Sequence, residues 1–172
     1  SRWRSRLKGA IASSPPPKRA WCAAEASWIY GRVLVRPTGQ RALVTKQPVG
    51  PVAAFSPWNF PVNQACRAGA PALAAGNAVV LKPSEFTSLG SLLLGRVLTA
   101  AGLPDGLFNV ITGTGAAVGS PLAAHPLVRR IAFTGSVYTG RHLAALAGER
   151  LIPMTLELGG KSPLVAFADA DL

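Results

Sequence analysis

The stretch PVAAFSPWNFPVNQACRAGAPALAAGNAVVLKPSE, residues 51–85, decides the fold. It opens on a short uninterrupted apolar run, Val52-Ala53-Ala54-Phe55, and passes through a proline-bounded turn, Pro57-Trp58-Asn59-Phe60-Pro61. An alanine-rich segment, 63–75, then reads as a helix, and a second apolar run follows, Ala78-Val79-Val80-Leu81. Strand, helix and strand at this spacing make a unit whose two strands run parallel. Because the runs do not alternate with polar residues, the strands are expected to be buried on both faces.

The same rhythm continues downstream. Leu107-Phe108-Asn109-Val110-Ile111, Arg130-Ile131-Ala132-Phe133 and Met154-Thr155-Leu156-Glu157-Leu158 read as further strands, and Leu164-Val165-Ala166-Phe167 is a last candidate. Between them, 88–101 repeats leucine and valine at three- and four-residue steps before Gly102, which suits a helix C-terminus. Residues 136–149 start on a capping-type Ser136 and carry Val137, Leu143 and Leu146 among alanines. The fold class is α/β, a doubly wound, Rossmann-like parallel sheet. Upstream, Val33-Leu34-Val35 and Ala42-Leu43-Val44-Thr45 flank Pro37-Thr38-Gly39-Gln40, which predicts a β-hairpin. Three parts follow: a basic tail over 1–29, a hairpin over 30–47 and an α/β domain over 48–172.

Charge separates the tail from the rest. The formal net charge of +11 invites a nucleic-acid or membrane-surface reading. Residues 1–50 hold ten bases and one acid, whereas 51–172 hold eight bases and six acids, so the domain-forming part is close to neutral. The tail, with Arg2, Arg4, Arg6, Lys8, Lys18 and Arg19 around three consecutive prolines, shows no apolar period and is expected to be unfolded. No nucleic-acid partner is assigned. The uncharged stretch from Gln47 to Cys66 carries too many prolines to span a bilayer, and the N-terminus lacks the apolar run of a signal peptide. With two cysteines, Cys22 and Cys66, no disulfide framework is expected, and a cytoplasmic location is the default.

In doubly wound sheets ligands bind beyond the carboxyl ends of the strands. Lys82-Pro83-Ser84-Glu85 puts a cation, a hydroxyl and a carboxylate there, a set that can hold a ribose diol or form a loop ion pair. Thr134-Gly135-Ser136 closes a strand and opens a helix, so its N–H groups can face a diphosphate. Glycines 113, 115 and 119 are one residue off the dinucleotide fingerprint and assign nothing alone. Glu157, an acid among apolar neighbours, is expected to have a raised pKa and to suit general-base work, or else to face outward on a half-exposed strand end. Asn59 can donate to an oxyanion or serve as a turn residue. Cys66, within the alanine-rich helix, reads as a buried structural thiol. His125 and His142 have no second ligand at metal spacing, and no metal is assigned.

Five ordered motifs carry a family resemblance: Pro57-Trp58-Asn59-Phe60-Pro61; Ala72-Leu73-Ala74-Ala75-Gly76-Asn77; Lys82-Pro83-Ser84-Glu85; Phe133-Thr134-Gly135-Ser136 with Thr139-Gly140-Arg141; and Leu156-Glu157-Leu158-Gly159-Gly160-Lys161-Ser162-Pro163. In order and spacing they resemble the aldehyde dehydrogenase superfamily, over residues from about 30 to 172. The resemblance implies oxidation of an aldehyde to a carboxylic acid with NAD(P), through a cysteine-linked thiohemiacetal and thioester. It makes Asn59 an oxyanion contact and Glu157 the base that activates the hydrolytic water. It places Ser56, Pro57, Trp58, Asn59, Lys82, Pro83, Ser84, Glu85, Gly115, Gly135, Ser136 and Leu158 at the cofactor. A carboxylate at the ribose would repel a 2′-phosphate, so NAD is expected over NADP.

The family's nucleophilic cysteine matches no position here, since it would fall beyond Leu172. The expectation is an incomplete pattern that keeps most cofactor contacts and is inactive alone. The alternative is a non-catalytic nucleotide-binding fragment or decayed gene product. The hairpin resembles the arm by which full-length relatives form homo-oligomers.

Overall fold

The computed structural model describes residues 22, 24–37, 39–160, 162–163 and 165–169. Lys161 and Leu164 of the motifs above, and the charged residues of the tail up to Arg19, lie outside the described residues. The chain forms a two-stranded antiparallel ribbon, β1 (Arg32–Val35) and β2 (Arg41–Val44), and then an α/β unit. That unit runs β3 (Val52–Ser56), α1 (Pro61–Ala74), β4 (Val79–Pro83), α2 (Ser88–Ala100) and β5 (Phe108–Val110), followed by α3 (Ser120–Ala124), β6 (Arg130–Thr134), α4 (Val137–Glu149) and β7 (Met154–Glu157).

The five strands of the unit are parallel in the order β5-β4-β3-β6-β7, so the chain starts in the middle and winds outward in both directions. Alternation along β3 divides the core. Ala54, with Leu81 of β4, packs under Leu73 of α1 and Leu98 of α2. Ala53 and Phe55, with Ile131 and Phe133 of β6, pack under Ala123 of α3 and Leu143 and Ala147 of α4. Each face therefore has its own helical cover, the condition that unbroken apolar strands impose.

Burial on both faces holds for the central strands and fails at the margin. Every residue of β3 is buried, whereas β7, paired among the described residues with β6 alone, is exposed over its last three residues. The last candidate run does not extend the sheet: residues 165–167 are in no strand. Sequence periodicity registers an apolar run but not whether a neighbour exists for its backbone to pair with.

Helix ends follow the expected chemistry. Ser136 Oγ accepts from Thr139 N at 3.2 Å and caps α4, while Gly102, at φ 85°, takes the left-handed conformation beyond α2. Asn77 fastens the start of the sheet: its Oδ1 accepts from Gly50 N at 3.0 Å and its Nδ2 donates to Ala72 O at 3.1 Å. No helix among the described residues is long and apolar enough to cross a membrane, and no group of three metal-ligating side chains occurs among them.

Candidate functional site

The tips of β3, β4 and β6 surround a groove of about 570 Å³ that continues over the α3/α4 face of the sheet. Its lining takes residues from four separated parts of the chain. The β3 tip supplies Ser56, Pro57 and Trp58, the β4 tip Lys82, Ser84 and Glu85, and the turn after β5 supplies Gly115, Ala116 and Gly119. Thr134, Gly135 and Ser136 come from the β6 tip, and Tyr138, Thr139, His142 and Leu143 from α4.

Lys82 is 6% exposed, its stem held in β4, while its Nζ reaches Glu85 Oε2 at 3.3 Å. The loop ion pair is thus present, and it stands at the groove. Hydrogen bonding from its own backbone N–H holds the Glu85 carboxyl below its ordinary value of 4.5, and the Lys82 ammonium pulls in the same direction against a desolvation penalty. Glu85 therefore stays an acceptor across the neutral range. Ser84 fixes the loop, since its N–H donates to Ser56 O at 2.9 Å and its Oγ accepts from Phe86 N. Beside it, Ser56 is 5% exposed and its Oγ has no hydrogen-bond partner among the described residues, a buried hydroxyl at the groove wall.

The β6 tip differs from the sequence expectation in one respect. Gly135 N–H is not turned to the groove, because it donates to Glu157 O at 3.0 Å and continues the β6–β7 ladder. Thr139 N–H is taken by the Ser136 cap. The donors left at the start of this 13-residue helix are those of its first turn, on Val137 and Tyr138. Sequence reading named the turn but not these positions. Gly135 is required for packing: a Cβ there would lie 2.6 Å from Phe133 Cζ.

Three positions expected at the cofactor do not line the groove. Pro83 is fully buried within β4 opposite Ser56, Asn59 is exposed in the bend before α1, and Leu158 packs against α4, where a Cβ on Gly140 would lie 2.5 Å from its Cδ2. Glu157 also departs from expectation. Its carboxylate is 49% exposed, not enclosed by apolar side chains, and its Oε1 lies 2.7 Å from Arg67 of α1. The physical reason is its place at the end of an edge strand. It borders a second cavity of about 370 Å³, with Arg67, Arg130 and Thr155, which Asn59 does not line. Cys66 is buried in α1, as its helical setting suggested.

Fold and groove together define a Rossmann-like α/β domain, open at the carboxyl ends of its strands. The chain belongs to the aldehyde dehydrogenase family, whose model matches residues 18–172. Hydroxyisobutyraldehyde dehydrogenase of Mycolicibacterium austroafricanum is 48% identical over 152 residues, which are 88% of this chain and 30% of that protein. 3-Sulfolactaldehyde dehydrogenase of Pseudomonas putida is 44% identical over 153 residues, 88% of this chain and 32% of that protein. Among solved structures, an NAD-dependent aldehyde dehydrogenase from Sinorhizobium meliloti superposes with a TM-score of 0.82 at 43% identity, covering 89% of this chain and 31% of that one. The chain thus spans about a third of the length of these relatives.

Proposed function

We propose that the groove holds the adenosine diphosphate half of a nicotinamide adenine dinucleotide, and that the chain is the cofactor-binding part of an aldehyde-oxidising enzyme. The observation that carries this reading is the convergence at one groove of a diol acceptor, a paired cation, an orphan hydroxyl and a helix N-terminus. Glu85 accepts from the ribose hydroxyls, and Lys82 holds its carboxylate and donates to the same sugar. Ser56 Oγ gains a partner on the ligand. The first-turn N–H groups of α4 meet the diphosphate, where the helix dipole favours negative charge.

When bound, the nicotinamide serves as the hydride acceptor for aldehyde oxidation. Glu157 takes a proton from the hydrolytic water, and its half-exposed carboxylate beside Arg67 is open to water from the second cavity. Asn59 donates through Nδ2 to the substrate oxygen. Cys66, buried in α1, is a packing residue. The β1–β2 ribbon exposes Val35 at 80% and Leu43 at 76%, and an isolated two-stranded ribbon is marginal in water, which supports a role as an arm packing on a second copy.

The test is a pair of titrations of the chain with NAD and NADP, followed by quenching of tryptophan fluorescence; Trp58 lines the groove. NAD is expected to bind the more tightly, since the ionised Glu85 repels a 2′-phosphate. Tighter binding of NADP overturns the preference, and binding of neither overturns the site.

A further inference from the structure

The second cavity, of about 370 Å³, takes its place from how the sheet is covered. Along β6, Ile131 and Phe133 pack under α3 and α4, while Arg130, Ala132 and Thr134 turn to the opposite face. On that face α1 packs over β3 and β4, so β6 and β7 meet only its flank and stay partly exposed. Ala68, Pro71 and Ala72 of α1, with Ala132, make an apolar wall between two polar ends. At the carboxyl end of β7, Arg67 Nη2 lies 2.7 Å from Glu157 Oε1. Two residues back on the same face, Thr155 Oγ1 accepts from Arg130 Nη2 at 2.7 Å. That offset along a strand is about 6.6 Å.

The charges of this cavity do not balance. Glu157 is the one carboxylate among the residues that line it, and it faces two guanidinium groups. It pairs with Arg67, whereas Arg130, among the described residues, meets a neutral hydroxyl and no carboxylate. A guanidinium carries five N–H donors in a planar fork that matches a carboxylate at two points, and Thr155 occupies only part of that capacity. We propose that the cavity selects aldehydes bearing a carboxylate at the end remote from the carbonyl, with Arg130 as the specificity-determining residue. The inference rests on the assignment of Glu157 to the reacting end. The carbonyl end then lies beside Glu157, a short apolar spacer runs along Ala132 and the α1 wall, and the carboxylate meets Arg130. An uncharged aldehyde gains nothing at Arg130, and one bearing an ammonium group meets like charge, so the same arginine favours one class and disfavours another.

The experiment titrates the 172-residue chain with 4-hydroxybutanoate and with 1-butanol by ligand-observed NMR. These unreactive probes share a four-carbon chain with a hydroxyl end and differ by the carboxylate. The parent is expected to bind 4-hydroxybutanoate about 10-fold more tightly, and Arg130→Gln to reduce that preference to within about twofold. Arg130→Lys, which keeps the charge and loses the fork, should retain part of it. Thr155→Val, which removes the hydroxyl that seats the guanidinium, should weaken 4-hydroxybutanoate by about 2- to 5-fold and keeps the test open if the Arg130 variants fail to fold. Arg96→Gln, at an exposed position on α2, controls for general attraction to a basic chain and should change nothing. Equal binding of the two probes by the parent, a preference that survives Arg130→Gln, or an equal loss in Arg96→Gln overturns the proposal. Titration with NAD tells the two readings apart. If NAD binds and the preference is absent, the carboxylate assignment falls alone; if the preference depends on Arg130 and NAD does not bind, the nucleotide groove falls and the carboxylate site stands.

Discussion

Replacement of Gly135 by alanine tests the link between the core and the groove. The added Cβ would stand 2.6 Å from Phe133 Cζ and 3.3 Å from Cε1 and Cε2, where ordinary contact begins near 3.4 Å. The ring must therefore move by about 0.8 Å, the difference between 3.4 and 2.6. Phe133 is 8% exposed, packs in one cluster with Leu143 and Ile131, and meets Phe55 with ring centroids 6.2 Å apart, so its core side is filled and it can yield only toward the groove it lines. Overpacking of this kind costs about 1–3 kcal/mol. For a chain of this size that corresponds to a fall in Tm of roughly 2–12 °C. Phe133 also lines the groove, so NAD affinity should drop in the same variant. Gly148→Ala is the matched control: it lies near the end of α4, a Cβ there meets nothing within 4 Å, and alanine should stabilise by about 0.5–1 kcal/mol. Thermal unfolding by circular dichroism and NAD titration of both variants make the comparison. If Gly135→Ala melts at or above the parent temperature and binds NAD normally, the claim that this glycine is demanded by the Phe133 ring is refuted.

Two further outcomes follow from the same geometry. Asn77→Ala removes the acceptor for Gly50 N–H and one donor to Ala72 O at a site only 7% exposed, and should lower stability by about 1–3 kcal/mol, read as a shift of the urea midpoint at constant slope. The pH dependence of NAD binding should track Glu85. Its folded carboxyl lies below 4.5, so the favourable charge persists above that value and is lost only as pH falls through the lowered folded value. Affinity should thus be flat from pH 8 to 5 by fluorescence titration, and a decline centred above pH 5 would show that Glu85 is not the group that governs it.

The fold was legible because its determinants are local. Each strand of the sheet is an apolar run, and α2 and α4 carry their own terminal glycine or cap, whereas the order outward from β3 is set by tertiary packing. The strand-tip loops were legible for the same reason, since Lys82 and Glu85 are three residues apart and their pairing needs no knowledge of the rest of the chain. Glu157 was misread because its environment is set by sheet order. Met154-Thr155-Leu156-Glu157-Leu158 looks apolar as a string, yet β7 is an edge strand, and Arg67, ninety residues earlier, is the group that meets the carboxylate. Gly135 carries the same lesson at backbone level: its N–H appeared available for an anion until β7 claimed it.

The groove therefore has two kinds of wall, and they differ in what a substitution can change. Tip residues are constrained twice, because Lys82, Ser84 and Gly135 also close the strand ends through the Glu85 ion pair, the Ser56 carbonyl and the β7 ladder. A change there disturbs the sheet as well as the ligand. The Ser120 and His142 side chains meet across 22 residues through an exposed hydrogen bond that lies outside the sheet. They stand on helix faces, where a side chain can be exchanged at little cost to the core. A substitution at this pair can thus alter the groove without loss of fold, whereas a change at the strand tips is tied to the architecture of the sheet itself.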